Sequence, residues 1–129
     1  MKSLSKFFLI SLMVGAVSSC ASLTKTPEER VTKRAGEFVQ YLVAKDLESA
    51  RQYTTPAYRK SVPVGRFKSK FLGAANWTSG KIKTVDCIED YCKVVYDIEY
   101  YSPVVRESLR TELSYRWIES DGKWWVFIK

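Results

Sequence analysis

The fold is decided by residues 110–129, which read RTELSYRWIESDGKWWVFIK. Every second residue from Leu113 to Trp117 is apolar and the residues between are polar, a period of two that predicts a β-strand with one buried face. Asp121-Gly122 follows, and this dipeptide is the strongest short signal for a two-residue hairpin turn. The stretch therefore predicts two antiparallel strands, at residues 110–119 and 123–128.

The second strand of this hairpin is apolar on both faces. If the turn sets the register, Trp117 faces Val126 and Tyr115 faces Ile128, which extends one apolar face across both strands. The opposite face also carries Trp125. The strand is therefore expected either to lie at the centre of a sheet or to have its outer face covered by other parts of the chain.

Two further strands are predicted upstream, at residues 81–87 and 92–101. Cys87 and Cys92 bracket residues 88–91, a polar four-residue segment suited to a hairpin loop. Residues that flank such a loop lie opposite each other at the spacing of a disulfide, so we expect Cys87 and Cys92 to be bonded. A metal site is disfavoured, because the spacing is poor for zinc and the chain contains no His.

The N-terminal half predicts helices instead. Thr26, Pro27 and Glu29 form a helix start with an N-cap, a proline at the first position and a capping-box glutamate. Apolar residues then recur at helical spacing from Val31 to Leu42, which indicates an amphipathic helix that covers a core. Three shorter helices are expected: one capped by Asp46, one after Thr55-Pro56, and one over residues 64–72 that Gly73 ends.

Helices followed by an antiparallel meander indicate an α+β fold, with N-terminal helices packed on a curved antiparallel sheet of about four strands. Residues 26–129 resemble the NTF2-like superfamily of cone-shaped α+β domains (a cystatin-like arrangement), in particular its small exported lipoproteins. The resemblance rests on the long first helix, Lys45-Asp46-Leu47 with Ala50, Thr55-Pro56, and the ending DGKWWVF at residues 121–127.

The N-terminus has the form of an export signal. Lys2 and Lys6 precede an apolar run over residues 7–17, and the run ends in small residues before Cys20. Val17-Ser18-Ser19-Cys20 resembles a bacterial lipobox, with Val17 where Leu is commonest. The resemblance implies a signal peptide at residues 1–19, a lipidated N-terminus and tether at residues 20–25, and a domain at residues 26–129. An ordinary cleaved signal with a spare cysteine is the alternative.

This assignment places the protein in the bacterial envelope, facing the periplasm and held to the membrane by a lipid anchor. Ala21-Ser22, with no Asp after the lipidated cysteine, resembles lipoproteins passed to the outer membrane of Gram-negative bacteria. The chain has a net charge of +7, and loss of Lys2 and Lys6 leaves about +5. Such a charge favours anionic surfaces and ligands, whereas the extracytoplasmic address argues against nucleic acid as a partner.

Catalysis is not expected, and no cofactor is implied. Without His, histidine acid–base chemistry is excluded. A carboxylate–tyrosine route of the isomerase or dehydratase type remains the alternative, with Asp97, Glu99 and Glu112 as the acids, although Asp97 and Glu99 fall on the face opposite Tyr96. The candidate pocket-lining aromatic residues, which could equally fill the core, are Tyr96, Tyr115, Trp117 and Trp124.

The sequence therefore predicts a non-catalytic, lipid-anchored domain that binds a small or anionic ligand or an envelope protein. Assembly accessory of an envelope complex is a third possibility. A dense set of basic residues in the middle third could recognise phosphate or carboxylate groups, or could be a solvated face. This set comprises Arg59, Lys60, Arg66, Lys68, Lys70, Lys81 and Lys83.

Overall fold

The computed structural model describes residues 25–129 as helices followed by one four-stranded antiparallel sheet, which confirms the α+β prediction. The predicted signal peptide and the lipidation site Cys20 lie outside the described residues. The strands follow one another as neighbours in the order β1-β2-β3-β4. The elements are α1 (Pro27–Val43), α2 (Leu47–Arg51), α3 (Pro56–Ser61), α4 (Val64–Ser69), a 3-10 helix (Leu72–Asn76), β1 (Trp77–Ile88), β2 (Tyr91–Ser102), β3 (Glu107–Ser120) and β4 (Lys123–Phe127).

The helix starts are those that the sequence predicts. The Thr26 hydroxyl accepts from the Glu29 amide and the Glu29 carboxylate accepts from the Thr26 amide, both at 3.2 Å, so the capping box is formed. Asp46 and Thr55 cap α2 and α3 in the same manner. One prediction is wrong: α4 ends at Ser69 rather than at residue 72. The chain tightens there into i→i+3 bonds, and Gly73 lies inside the 3-10 helix instead of ending α4.

The first hairpin is tighter than the sequence indicates. Ile88 and Tyr91 still pair across the strands, so the turn consists of Glu89 and Asp90 alone, with Glu89 at a φ of 56°. The predicted four-residue loop is therefore wrong, because both strands continue one residue further. Cys87 and Cys92 lie directly opposite each other with a Cα–Cα distance of 4.0 Å, and the predicted disulfide is confirmed.

The last hairpin has the predicted register, since Trp117 pairs with Val126. Asp121 and Gly122 both have positive φ, 52° and 72°, as a type I′ turn requires. However, β4 lies at an edge of the sheet and not at its centre. Its apolar outer face is explained by cover: Trp125 is 9% exposed, beneath the guanidinium groups of two arginines.

The core lies between α1 and the concave face of the sheet. Val31, Ala35, Phe38 and Leu42 form the buried stripe of α1, as the spacing predicts. The helix approaches β1 closely at Gly80, where a Cβ atom would lie 2.6 Å from a methyl group of Val39. Within residues 25–129 no helix has the length and apolar character needed to cross a membrane.

Candidate functional site

The interior of the cone is filled by aromatic side chains. Tyr96, Trp117 and Trp124 are each at most 1% exposed. The Tyr96 hydroxyl accepts from Trp117 Nε1 at 3.2 Å and donates to the Ala35 carbonyl at 3.3 Å. Burial raises the pKa of Tyr96 far above its usual range, so the phenol stays neutral. The small gap beside Phe38 leaves no room for a water molecule.

The carboxylates of the β-strands lie outside this interior. Asp97 and Glu99 are on the outer face of the sheet, 4.0 Å and 3.6 Å from the Arg110 guanidinium. Glu112 is on the same face and pairs with Lys83. Within residues 25–129, Thr54 is the residue of polar or charged type that is buried, so none of the described carboxylates is buried. The carboxylate–tyrosine pair that an isomerase-like site needs is therefore not assembled inside the cone.

A tyrosine and a carboxylate do meet at the rim of the helical layer. The Tyr53 hydroxyl donates to Glu37 Oε2 at 2.7 Å, and the Arg34 guanidinium lies 4.7 Å from the Tyr53 ring centre. Burial, reinforced by the bond to Glu37, raises the pKa of Tyr53. This contact joins α1 to the residues after α2 and lines none of the three cavities described for residues 25–129. We interpret it as a structural contact.

The largest of the three cavities described for residues 25–129 is an open cleft of about 520 Å³ at the end of β4, which we call the basic cleft. It combines four basic side chains with four aromatic ones, and none of its lining residues is acidic. Its walls come from the segment that follows α4, from β2 and β3, and from the end of the described chain. The lining residues are Lys70, Phe71, Tyr91, Lys93, Ser114, Tyr115, Arg116, Phe127, Ile128 and Lys129.

The basic cleft exists because β3 is much longer than β4. The pairing between these strands stops at Arg116 and Phe127, while β3 extends back to Glu107. Successive side chains of β3 alternate between the two faces of the sheet, so Tyr115 and Arg116 reach the cleft from opposite faces. Arg116 also stacks over the Tyr91 ring at 4.8 Å.

An anion with an apolar or aromatic body matches this lining. Ammonium and guanidinium groups supply attraction to a carboxylate or phosphate, and the exposed aromatic faces supply contact area. Hydrolytic or transfer chemistry would need an activated nucleophile or a general base. The lining side chains include no carboxylate, imidazole or thiol.

Sequence reasoning located only part of this site. Of the four candidate pocket residues, Tyr115 lines the basic cleft, whereas Tyr96, Trp117 and Trp124 are packed in the core. The basic residues of the middle third are dispersed, and of these Lys70 lines the cleft. The lining residues that the sequence did not single out are Phe71, Tyr91, Lys93, Ser114, Arg116, Phe127, Ile128 and Lys129. Nothing in their sequence pattern shows where β4 stops, and that position creates the cleft.

Comparison with known proteins adds a fold but no family. No family model matches the chain, and no curated protein matches it. Solved structures do match. A proposed NTF2-like transpeptidase from Campylobacter jejuni has a TM-score of 0.55 and 15% identity, over 75% of this chain and 96% of that one.

Two proteins that contain a SEC-C motif match at a similar level. The one from Rhodopseudomonas palustris has a TM-score of 0.53 and 11% identity, over 78% of this chain and 74% of that one. The one from Psychrobacter arcticus has a TM-score of 0.53 and 12% identity, over 71% of this chain, which spans 54% of that protein. At these identities the matches show architecture alone, and residues 25–129 have the NTF2-like α+β cone fold.

Proposed function

We propose that this protein is a non-catalytic, lipid-anchored component of a bacterial envelope that binds an acidic partner or small anionic ligand in the basic cleft. The observation that supports a binding role is the contrast between the cone interior and the basic cleft. The cone interior is filled and holds no carboxylate among the described residues, whereas the open cleft outside it is basic and aromatic. The anchor is Cys20, the outer membrane is its expected site, and the domain faces the periplasm.

The solved structure from Campylobacter jejuni is called a transpeptidase, so catalysis needs separate consideration. Transpeptidation by a covalent route requires a free nucleophile beside a base. The two cysteines of the described chain, Cys87 and Cys92, are joined in a disulfide. The described residues therefore offer that chemistry no thiol, and binding is the function that the geometry favours.

The binding role is tested by charge reversal in the cleft. The double variant Lys93→Glu, Arg116→Glu removes its positive wall, and the double variant Lys33→Glu, Lys81→Glu makes the same charge change elsewhere on the exposed surface. We expect envelope components that crosslink to the full-length wild type in cells to be lost with the cleft variant and retained with the control. Equal capture by both variants would contradict a binding role for the cleft.

The anchor has its own test. Replacing Cys20 with Ser should abolish labelling by radioactive palmitate and move the protein from the membrane fraction to a soluble one. Continued labelling, or unchanged fractionation, would show that Cys20 is not the lipidation site.

A further inference from the structure

One edge of the sheet is left without a hydrogen-bonding partner in the described structure. β4 pairs with β3 from Arg116 to Ser120, so the earlier part of β3, residues 107–115, has a strand on one side only. This segment pairs with β2 without a bulge. The backbone groups of residues 108–114 that point away from β2 have no partner within residues 25–129.

The alternating direction of the backbone hydrogen bonds along β3 shows which residues carry these open groups. In a two-residue hairpin the flanking residues, here Ser120 and Lys123, exchange hydrogen bonds. Even-numbered residues of β3 therefore direct their N–H and C=O groups toward the β4 side. The Glu119 amide agrees with this, because it donates to Asp90 on the opposite side. The open donors and acceptors thus belong to Ser108, Arg110, Glu112 and Ser114.

The other edges of the sheet are covered at least in part. On β4, the Val126 amide donates to the Tyr53 carbonyl at 2.8 Å, and the Trp124 carbonyl accepts from Arg34 at 2.6 Å. On β1, the Gly80 carbonyl accepts from Gln40 at 2.9 Å, and two register shifts distort the strand. Bulges and cover are the usual protection of edge strands. Segment 108–114 has no bulge, and its outward backbone groups have no hydrogen-bond partner within residues 25–129.

The sequence of this open segment is self-complementary. Residues 108–114 read SLRTELS, which is symmetric about Thr111 except that Arg on one side is matched by Glu on the other. Antiparallel pairing of two copies about Thr111 therefore places opposite charges and like apolar residues across from each other. The pairs are Ser108 with Ser114, Leu109 with Leu113, Arg110 with Glu112, and Thr111 with its own copy.

From this juxtaposition we propose that β3 pairs with β3 of a second copy of the chain, so that two sheets join into one of eight strands. In this register the four even-numbered residues of each copy form hydrogen-bonded pairs, which supplies about eight backbone bonds. Thr111 lies at the two-fold axis in a non-hydrogen-bonded pair. This register pairs the even-numbered residues of one copy with those of the other, and these are the residues whose backbone groups are open. A shift of one residue would pair even-numbered residues with odd-numbered ones, whose backbone groups already bond to β2.

Side chains on both faces support the pairing. On the outer face Arg110 and Glu112 are exposed, with 72% and 55% of their side chains accessible, and they already contact charges of their own sheet. On the concave face Leu109 and Leu113 are half-buried. In the dimer, Leu109 of each copy contacts Leu113 of the other. Glu107 of one copy lies opposite Tyr115 of the other, at the mouth of the basic cleft.

The pairing rests on the proposed function in one respect, the shared membrane anchor. A single strand-to-strand contact is a small interface, and such contacts are weak between molecules that are free in solution. Two copies tethered to one membrane surface have a much higher effective concentration. The anchor therefore makes a short edge contact sufficient.

Cysteine crosslinking in cells tests the register. In a non-hydrogen-bonded pair the Cα atoms are about 4.5 Å apart, within disulfide range. We expect the full-length Thr111→Cys variant, oxidised by diamide in intact cells, to give at least about tenfold more disulfide dimer than Ser108→Cys or Ser114→Cys alone. In those single variants the two thiols lie on the order of 20 Å apart. The double variant Ser108→Cys, Ser114→Cys should crosslink again.

Charge exchange tests the same register through a second property, the pairing of Arg110 with Glu112. In the Thr111→Cys background, Glu112→Arg places arginine opposite Arg110, and dimer should fall about fivefold. Co-expression with an Arg110→Glu, Thr111→Cys chain restores two opposite-charge pairs and should restore the mixed dimer. Equal crosslinking at Thr111, Ser108 and Ser114, or no crosslink at Thr111, would overturn the proposal.

The two proposals fail separately. Palmitate labelling and fractionation of the Thr111→Cys variant report on the anchor, and the disulfide reports on strand pairing. A labelled, membrane-bound variant without the crosslink would overturn the dimer and leave the anchor in place. A crosslinked but unlabelled protein would support the strand pairing and contradict lipidation at Cys20.

Discussion

At the scale of single residues, the decisive feature is the hydrogen bond between Tyr96 and Trp117 inside the cone. Two large side chains occupy this space, and the Trp117 N–H donates to the Tyr96 hydroxyl. Composition and spacing correctly singled out both residues as inward-facing. Whether they lined a pocket or filled a core depended on helix α1, whose Phe38 ring packs edge-on 5.7 Å from the Trp117 ring centre. A sequence pattern cannot supply that distance.

Removing the Tyr96 hydroxyl should therefore cost stability. Tyr96→Phe leaves the buried Trp117 N–H without its acceptor, and we expect a loss of about 1–3 kcal/mol in the free energy of unfolding. Chemical denaturation measures it. The matched control is Tyr101→Phe, because Tyr101 is 44% exposed, and it should change stability by less than about 0.5 kcal/mol. Equal effects of the two variants would contradict the assigned role of the Tyr96–Trp117 bond.

The buried phenols also predict a dependence on alkaline pH. Burial raises the pKa values of Tyr96 and Tyr115 in the folded protein, while tyrosines of the unfolded chain ionise near about 10. The unfolded state therefore releases protons that the folded state retains. Stability should be intact below about pH 10 and should fall above it, by about 1.4 kcal/mol per pH unit for each such tyrosine.

Denaturation at a series of pH values between neutrality and strong alkali measures this slope. Tyr96→Phe removes one of the phenols whose pKa is raised, so the slope of its stability above the tyrosine transition should be shallower than that of the wild type. Identical slopes would show that Tyr96 ionises normally in the folded state.

At the scale of elements, the disulfide hairpin of β1 and β2 was predicted more accurately than its turn. Two cysteines in a chain predicted to be exported indicated the bond, and the hairpin places them opposite each other. The turn length was wrong because Ile88 and Tyr91 add one more pair to the ladder, which side-chain polarity does not reveal. β4 was ambiguous for a similar reason: cover from Arg34, Arg59 and the Tyr53 backbone comes from distant parts of the chain.

Removing this disulfide should have a modest effect. The bond closes a very short loop, so it restricts the unfolded chain little, and Cys87→Ala, Cys92→Ala should cost about 2 kcal/mol or less. Thermal unfolding of the double variant beside the oxidised wild type measures the loss. The hairpin should persist, because the strands remain paired on both sides of β2. Failure of the double variant to fold would show that the bond does more than restrict the unfolded state.

At the scale of the whole molecule, the order of elements was the most predictable property. Capping residues, hairpin dipeptides and the change from helical to alternating periodicity together indicated helices on an antiparallel meander. The basic cleft was not predictable, because it arises where β4 stops short of β3 and where α4 brings Lys70 to the same corner. It depends on differences in element length rather than on any local motif.

The location of the protein depends on residues that precede the described structure, and it is the basis of the proposed function. Mass spectrometry of the amino-terminal peptide from the native, membrane-extracted protein tests it most directly. The peptide should begin at Cys20 and carry a diacylglycerol on the thiol and an acyl chain on the amine. A free, unmodified Cys20, or an amino terminus at another residue, would contradict the lipid anchor.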